Sequence, residues 1–231
     1  MILTAMQPTY LPWCGLFDRI AQGQGHVIFD VVPMDSSSQT SYENRNKILT
    51  SSGPLWLTVP VHKDRETSLC KVRIVENTGW RRKHWRSIEQ AYHRAPFWSL
   101  YAPELEEFYP LDWHLLVDLN AEMLRWFLRN LGLGQPVHRA STLGLQGTKS
   151  ELVLDMCKRL GAHEYIFGKH GRGYADVAAF EAAGVTVRFQ EYQHPTYPQV
   201  GSRNGFESHL SVLDLLMNVG PDSLKVITGG R

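Results

Sequence analysis

The stretch Met1-Ile-Leu-Thr-Ala-Met-Gln-Pro-Thr-Tyr-Leu-Pro-Trp-Cys-Gly-Leu-Phe-Asp-Arg-Ile-Ala-Gln22, with His26-Val-Ile-Phe-Asp-Val-Val32 just beyond it, decides the fold. Residues 1 to 6 are an apolar run stopped at Gln7-Pro8, because proline removes a ladder donor. Between Gly15 and Gln22, Leu16, Ile20 and Ala21 share one face, the spacing of a short helix. His26 to Val32 reads as a buried strand bounded by Pro33. Strand, loop, helix, strand is the order of a βαβ unit.

Working outward, the polar run Asp35 to Tyr42 predicts a loop, and Leu55 to Val61 and Cys70 to Val75 predict strands of an antiparallel insertion over residues 33 to 76. Trp80, His84, Ile88 and Tyr92 recur every four residues, so residues 80 to 93 predict a helix that Pro96 ends. A longer helix is expected from Asp112 to Asn130, with Leu115, Leu116, Leu119, Met123, Trp126 and Phe127 inward. Thr148-Lys-Ser-Glu151 has the form of a capping box ahead of Leu152, Val153, Met156 and Leu160. Strands over Glu164 to Phe167 and Val185 to Gln190 flank a helix over Asp176 to Ala183, a second βαβ unit. A last helix spans Ser211 to Val219 and stops at Gly220-Pro221. Two such units predict an α/β fold: a mostly parallel sheet with helices on both faces, a Rossmann-like sandwich, carrying the small antiparallel insertion. No repeat or low-complexity linker divides the chain, so residues 1–231 are expected to form a single domain.

Of 231 residues, 24 are Lys or Arg and 23 Asp or Glu, a formal charge of +1. That balance argues against binding to nucleic acid or anionic lipid through bulk charge. No apolar run approaches the roughly 20 residues of a spanning helix, and the first residues lack the form of a signal peptide. Three cysteines, at 14, 70 and 157, give neither a disulfide framework nor a thiolate zinc site. No metal or cofactor is expected, and the cytoplasm is the expected compartment, with the oligomeric state left open.

Four groups of residues carry candidate chemistry. The loop Gln7 to Gly15 follows a strand end, where α/β proteins bind ligands, and its prolines would fix Tyr10 and Trp13. Cys14, opening the next helix, is a candidate nucleophile, with an inert buried thiol as the bland alternative. Tyr42-Glu-Asn-Arg-Asn-Lys47 offers Asn44, Arg45 and Asn46 to a carboxylate, phosphate or hydroxyl, though a solvated charged turn would read the same way. Gly168-Lys-His-Gly-Arg-Gly173 is an anion cradle with Lys169 and Arg172; it matches neither a Walker A motif nor GxGxxG. Asp214 sits in a helix apolar nearly all round and therefore requires a cation or several donors. His84 and His194 are candidate bases, each also readable as a hydrogen-bonded core or edge histidine.

Several motifs together carry a resemblance: Gln7-Pro-Thr-Tyr-Leu-Pro-Trp-Cys-Gly-Leu-Phe-Asp18, Asn44-Arg-Asn-Lys47 with Trp56-Leu-Thr-Val-Pro-Val61, Trp80-Arg-Arg-Lys-His-Trp-Arg-Ser-Ile-Glu89, His194-Pro-Thr-Tyr-Pro-Gln199 and Leu210-Ser-Val-Leu-Asp-Leu-Leu-Met-Asn-Val-Gly220. In these the chain resembles the WbqC-like protein family. The resemblance implies a small cytosolic protein of bacterial surface-polysaccharide (O-antigen) or specialised-metabolite biosynthesis. It points to transfer or cyclisation of an acyl or aminoacyl group, carried as a thioester, onto an amine or hydroxyl. Gln7, Tyr10, Trp13, Asn44, Arg45, Asn46, His84, His194, Gln199 and Asp214 match the family's pattern. Met6 stands where a histidine is usual, and Asp30-Val31 where an Asp-Asp pair is, which leaves Asp30 as the candidate of that pair.

The implied partner is a small molecule, free or held on a carrier protein. Two other readings stand beside the transferase: a non-catalytic module that holds a sugar nucleotide or carrier-bound intermediate, and a nucleotidyl-transferring or adenylating enzyme. The last lacks the histidines of an HxGH-type site at Trp13-Cys-Gly-Leu16. All of them require residues near 10, 45, 170, 194 and 214 to meet at one rim of the sheet.

Overall fold

The computed structural model describes residues 1–34, 41–62, 67–202 and 205–230. Five strands, β1 (Ile2–Met6), β2 (Gly25–Ile28), β5 (Val137–Arg139), β6 (Glu164–Phe167) and β7 (Thr186–Phe189), pair in the order β5-β2-β1-β6-β7, all parallel. The chain winds outward from β1 through β2 to β5, then returns to lay β6 and β7 on the other side. The strand order therefore reverses between β1 and β6.

Helices cover both faces, as the two βαβ units predict. On one face α1 (Cys14–Ala21) and α4 (Leu116–Asn130) pack Leu16, Phe17, Ile20, Leu119, Met123 and Phe127 in a core that includes Ile28. On the other, α5 (Lys149–Arg159) and α6 (Val177–Ala182) set Val153, Met156, Cys157 and Phe180 against Leu3, Ala5, Val27, Tyr165 and Phe167. Alternate residues of each buried strand thus feed alternate cores. The capping box that starts α5 is formed by Thr148 and Glu151. Helix α2 (Trp80–Tyr92) buries Trp80, His84, Ile88 and Tyr92, the face that its four-residue spacing predicts.

A separate hairpin joins β3 (Arg45–Thr50) to β4 (Gly53–Thr58), antiparallel, from Arg45↔Thr58 to Thr50↔Gly53. Here three expectations change. Residues 45 to 47, part of the stretch also readable as a solvated charged turn, enter β3, because Asn46 and Ile48 point inward while Arg45 and Lys47 alternate outward. Cys70 to Val75 is not a strand: Leu69–Lys71 is a turn of 3₁₀ helix, and Arg73 and Ile74 form isolated bridges to Leu115 and Val61. Those bridges take residues 114 and 115 out of the helix expected from Asp112, so α4 starts at Leu116. Most of the expected loop over Asp35 to Tyr42 lies outside the described residues. Helices α3 (Trp98–Glu106), α7 (Val212–Val219) and α8 (Ser223–Thr228) complete the chain.

Candidate functional site

The loop between β1 and α1 is the hub. Pro8 and Pro12 stiffen it, and Leu11 takes a positive φ of 46°, a conformation that surrounding contacts must hold. Those contacts come from distant segments. The Asn46 side-chain amide donates to the Leu11 carbonyl (2.6 Å), the Tyr10 N–H to the Tyr42 carbonyl (3.1 Å), and the Val212 N–H to the Pro12 carbonyl (2.7 Å). Asn44 donates to the Val59 carbonyl at 2.8 Å. Both asparagines are thus buried and engaged by backbone. Arg45 lies over the Trp56 ring at 4.7 Å and donates to the Ser41 carbonyl at 3.2 Å.

On one side of the hub, the Tyr10 hydroxyl meets His84 Nδ1 at 2.9 Å and the Tyr109 hydroxyl at 3.1 Å, with Trp80 edge-on. Burial pushes His84 down to about 4, against a hydrogen bond to the Thr58 backbone. The Thr58 carbonyl only accepts, so the ring nitrogen facing it carries the proton and Nδ1 accepts from Tyr10. This imidazole is neutral and enclosed.

On the other side is a larger polar set. Asp214, in the first turn of α7, is fully buried. Its carboxylate accepts from the Tyr92 hydroxyl (3.0 Å) and from Gln199 Nε2 (2.8 Å), and it also faces the Tyr197 hydroxyl, which makes no well-formed hydrogen bond. Of the two forms of partner anticipated for this acid, the structure supplies donors. Burial outweighs them and holds Asp214 up at about 6. Gln199 is itself fixed at both ends by the Glu207 backbone.

Beside Asp214, Cys14 opens α1 with its thiol buried. Burial first, and then the Asp214 charge, push it up to about 12, so it stays protonated at neutral pH. Tyr192 lies beside this thiol and its hydroxyl reaches His194 Nδ1 at 3.1 Å, while Trp13 packs edge-on to Tyr192 at 5.3 Å. The His209 N–H points at His194 Nε2 over 3.4 Å, and the His209 ring stacks on His194 at 5.0 Å. Desolvation, and secondarily His209, push His194 down to about 4. Because Nε2 faces a donor, the proton sits on Nδ1. His194 Nδ1–H therefore donates to the Tyr192 hydroxyl, and a lone pair is left on Nε2.

The remaining candidates lie apart. Asp30 accepts from the Ser141 N–H (2.8 Å) and hydroxyl (2.7 Å), tying the end of β2 to the segment after β5. Arg172 lies over Phe189 at 4.6 Å and pairs with Glu191 at 3.4 Å, and Lys169 is exposed. Gln7 lines a cavity of about 10 Å³ with Thr9, His26 and Asn120, room for about one water. Contrary to the expected convergence on one pocket, the structure divides the candidates between two histidine clusters that share the hub, a strand-end tie at Asp30 and an outer group at 169–172. Tyr92, Tyr192, Tyr197, Tyr109 and His209 complete the clusters without having been singled out. Tyr92 is signalled by its place eight residues after His84 on one helix face, and Tyr197 by its place inside the His194–Gln199 motif. Among the described residues no group of three or more His, Cys, Asp or Glu is placed to hold a metal ion, and no helix is long and apolar enough to cross a membrane.

The fold and its loop-borne polar clusters define an α/β protein whose order of strands reverses beside an aromatic, proline-braced hub. The chain belongs to the WbqC-like protein family, whose profile matches residues 7–226. It is 32% identical over 226 residues to an uncharacterized protein of Mycobacterium tuberculosis, an alignment covering 95% of this chain and 96% of that one. No solved structure matches it.

Proposed function

We propose that this chain transfers or cyclises an acyl or aminoacyl group, held as a thioester, onto an amine or hydroxyl, with His194 as the base. The observation that carries this reading is the half-buried, neutral His194, whose Nδ1 is held by Tyr192 and whose Nε2 meets, among the described residues, only a 3.4 Å contact from a loop N–H. An incoming nucleophile displaces that weak contact. Its nitrogen or oxygen attacks the thioester carbonyl carbon as Nε2 takes its proton; the C–S bond breaks and the departing thiolate recovers the proton from the imidazolium. In this direct transfer the protonated, enclosed Cys14 thiol is not the acyl carrier. Asp214, Tyr92 and Gln199 tie α7 to α2 and to residues 199 and 207, which lie between His194 and His209 in the chain. The substrate is a small molecule, free or on a carrier protein, and the setting is cytoplasmic biosynthesis of a bacterial surface polysaccharide or specialised metabolite.

The test uses aminoacyl thioesters of N-acetylcysteamine with hydroxylamine as nucleophile, hydroxamate being followed by mass spectrometry. Acceleration is expected, falling about 10²–10⁴-fold in His194→Ala, with an acid limb near pH 4. Full activity in His194→Ala would refute the assignment. Thioester-dependent melting without turnover would favour the non-catalytic module instead.

A further inference from the structure

Among the described residues Arg19 is a cation with no hydrogen-bonded or ion-paired partner. It sits on α1 with only 7% of its surface exposed, and among the described residues its guanidinium makes no hydrogen bond and no ion pair; Nε is enclosed and unsatisfied. Asp18, its sequence neighbour, commits Oδ2 to Gln22 (2.8 Å) and Gln190 (2.7 Å), and acts on Arg19 only through longer-range attraction. A buried charge in this condition is costly unless an opposite charge joins it.

The place of the side chain is as informative as its isolation. Its Nη1 occupies the space that a side chain at residue 168 would need, since a Cβ built on Gly168 would come within 2.6 Å of it. Gly168 directly follows β6, so the guanidinium reaches the carboxyl end of that strand. There the order of strands reverses between β6 and β1, the position at which open α/β sheets form their ligand crevice. Tyr165 and the half-exposed Tyr174 are close enough to influence Arg19 electrostatically, and the exposed Lys169 and His170 follow Gly168 in the chain. The cation that abuts the glycine-rich segment is thus contributed by another element. Arg172, the arginine within the segment, is spent on Phe189 and Glu191.

We infer that Arg19, reached past Gly168 at the strand-order reversal, is the anchor of a binding site for a phosphoryl group. A planar guanidinium matches two phosphate oxygens, and the basic residues after Gly168 favour a multiply charged oxyanion over a single carboxylate. This site goes beyond the acyl-transfer reading and stands without it.

The experiment follows melting temperature and calorimetric binding of the full chain with inorganic phosphate, AMP and 4′-phosphopantetheine, against chloride at matched ionic strength. At least one phosphoryl compound is expected to raise the melting temperature, and which one binds tightest identifies the source of the group. Arg19→Met is expected to weaken that binding at least about tenfold, as loss of a charged hydrogen-bonding partner does. It is also expected to melt no lower than wild type in phosphate-free buffer, because it removes an unpaired buried charge. Gly168→Ala, which displaces the guanidinium tip while keeping the charge, is expected to weaken binding in the same direction. His194→Ala is expected to bind phosphate as wild type does, so failure of the transfer reading and failure of this one are separable. A soak of wild-type crystals in tungstate is expected to put an anomalous peak within hydrogen-bond distance of Arg19, a readout that needs no variant. Binding unchanged in Arg19→Met, no binding of any of the three compounds, or no peak beside Arg19 would each overturn the assignment.

Discussion

Replacing Asp214 with Asn isolates the cost of a fully buried carboxylate. In the folded chain the group titrates at about 6, against an ordinary 3.8, because desolvation exceeds what Tyr92, Gln199 and Tyr197 return. A displacement of about two pH units at ~1.4 kcal/mol each is about 3 kcal/mol. The folded state holds this proton more tightly than the unfolded chain. The stabilisation is therefore complete below about pH 4, declines as pH rises, and is gone above about pH 6. Asn cannot titrate, and its amide turns one donor toward donors, which lowers stability by a pH-independent ~1–3 kcal/mol. Urea denaturation of both proteins from pH 3.5 to 7.5, with linear extrapolation, cancels the other carboxylates in the difference. The wild type is expected to lose about 3 kcal/mol relative to Asp214→Asn between pH 4 and pH 7. A flat difference, or a wild type that gains as pH rises, would show that the donors outweigh burial and would refute the account of this site.

Other expectations follow from the same geometry. Tyr92→Phe removes a donor from the ionised carboxylate and leaves a core ring intact, so it should destabilise by ~1–3 kcal/mol at pH 7.5 and by less at pH 4, measured by urea denaturation. Iodoacetamide at pH 7.5 should label the partly exposed Cys70 well before the enclosed Cys14 and Cys157, which peptide mapping resolves; equal labelling of Cys14 would contradict its burial. Gly15→Ala drives a methyl into the Trp13 ring and should cost ~1–3 kcal/mol of stability, read by the urea midpoint.

The parallel sheet was legible because its strands are short apolar runs closed by proline or glycine and its helices carry capping or four-residue signals. Three features were not. The first hairpin strand hides because Asn46 fills an inward position with an amide whose bond to the Leu11 carbonyl no local pattern announces. Helix α3 carries Pro103 inside it and α8 is only six residues long, which leaves little periodicity to read. The β5 strand is three residues of mixed polarity, defined by pairing to β2 and not by its own composition. At the site, composition showed that Asp214 must have partners, while their identity depends on Tyr92, 122 residues away. Cys14 illustrates competing terms: a helix start argues for a lowered thiol, but complete burial beside a carboxylate decides the sign.

The hub explains why residues so distant in sequence resolve into two clusters. Tyr10 and Cys14 are four residues apart, yet one hydrogen-bonds His84 and the other lies beside Tyr192 and Asp214. The intervening Leu11 and Pro12 offer their carbonyls to the hairpin and to α7 respectively. Ser211, the residue that caps α7, also donates its N–H to the Lys47 carbonyl, which closes the connection between hairpin and helix. Hairpin, loop and α7 therefore move as one unit only while these backbone bonds hold. The two imidazoles differ in a way that follows from this frame. His84 is shut between an aromatic helix face and the hairpin with both ring nitrogens engaged, whereas the half-buried His194 has one nitrogen that meets, among the described residues, only a long contact. Of the two histidines matching the family's pattern, it is the second whose Nε2 has, among the described residues, no short hydrogen bond.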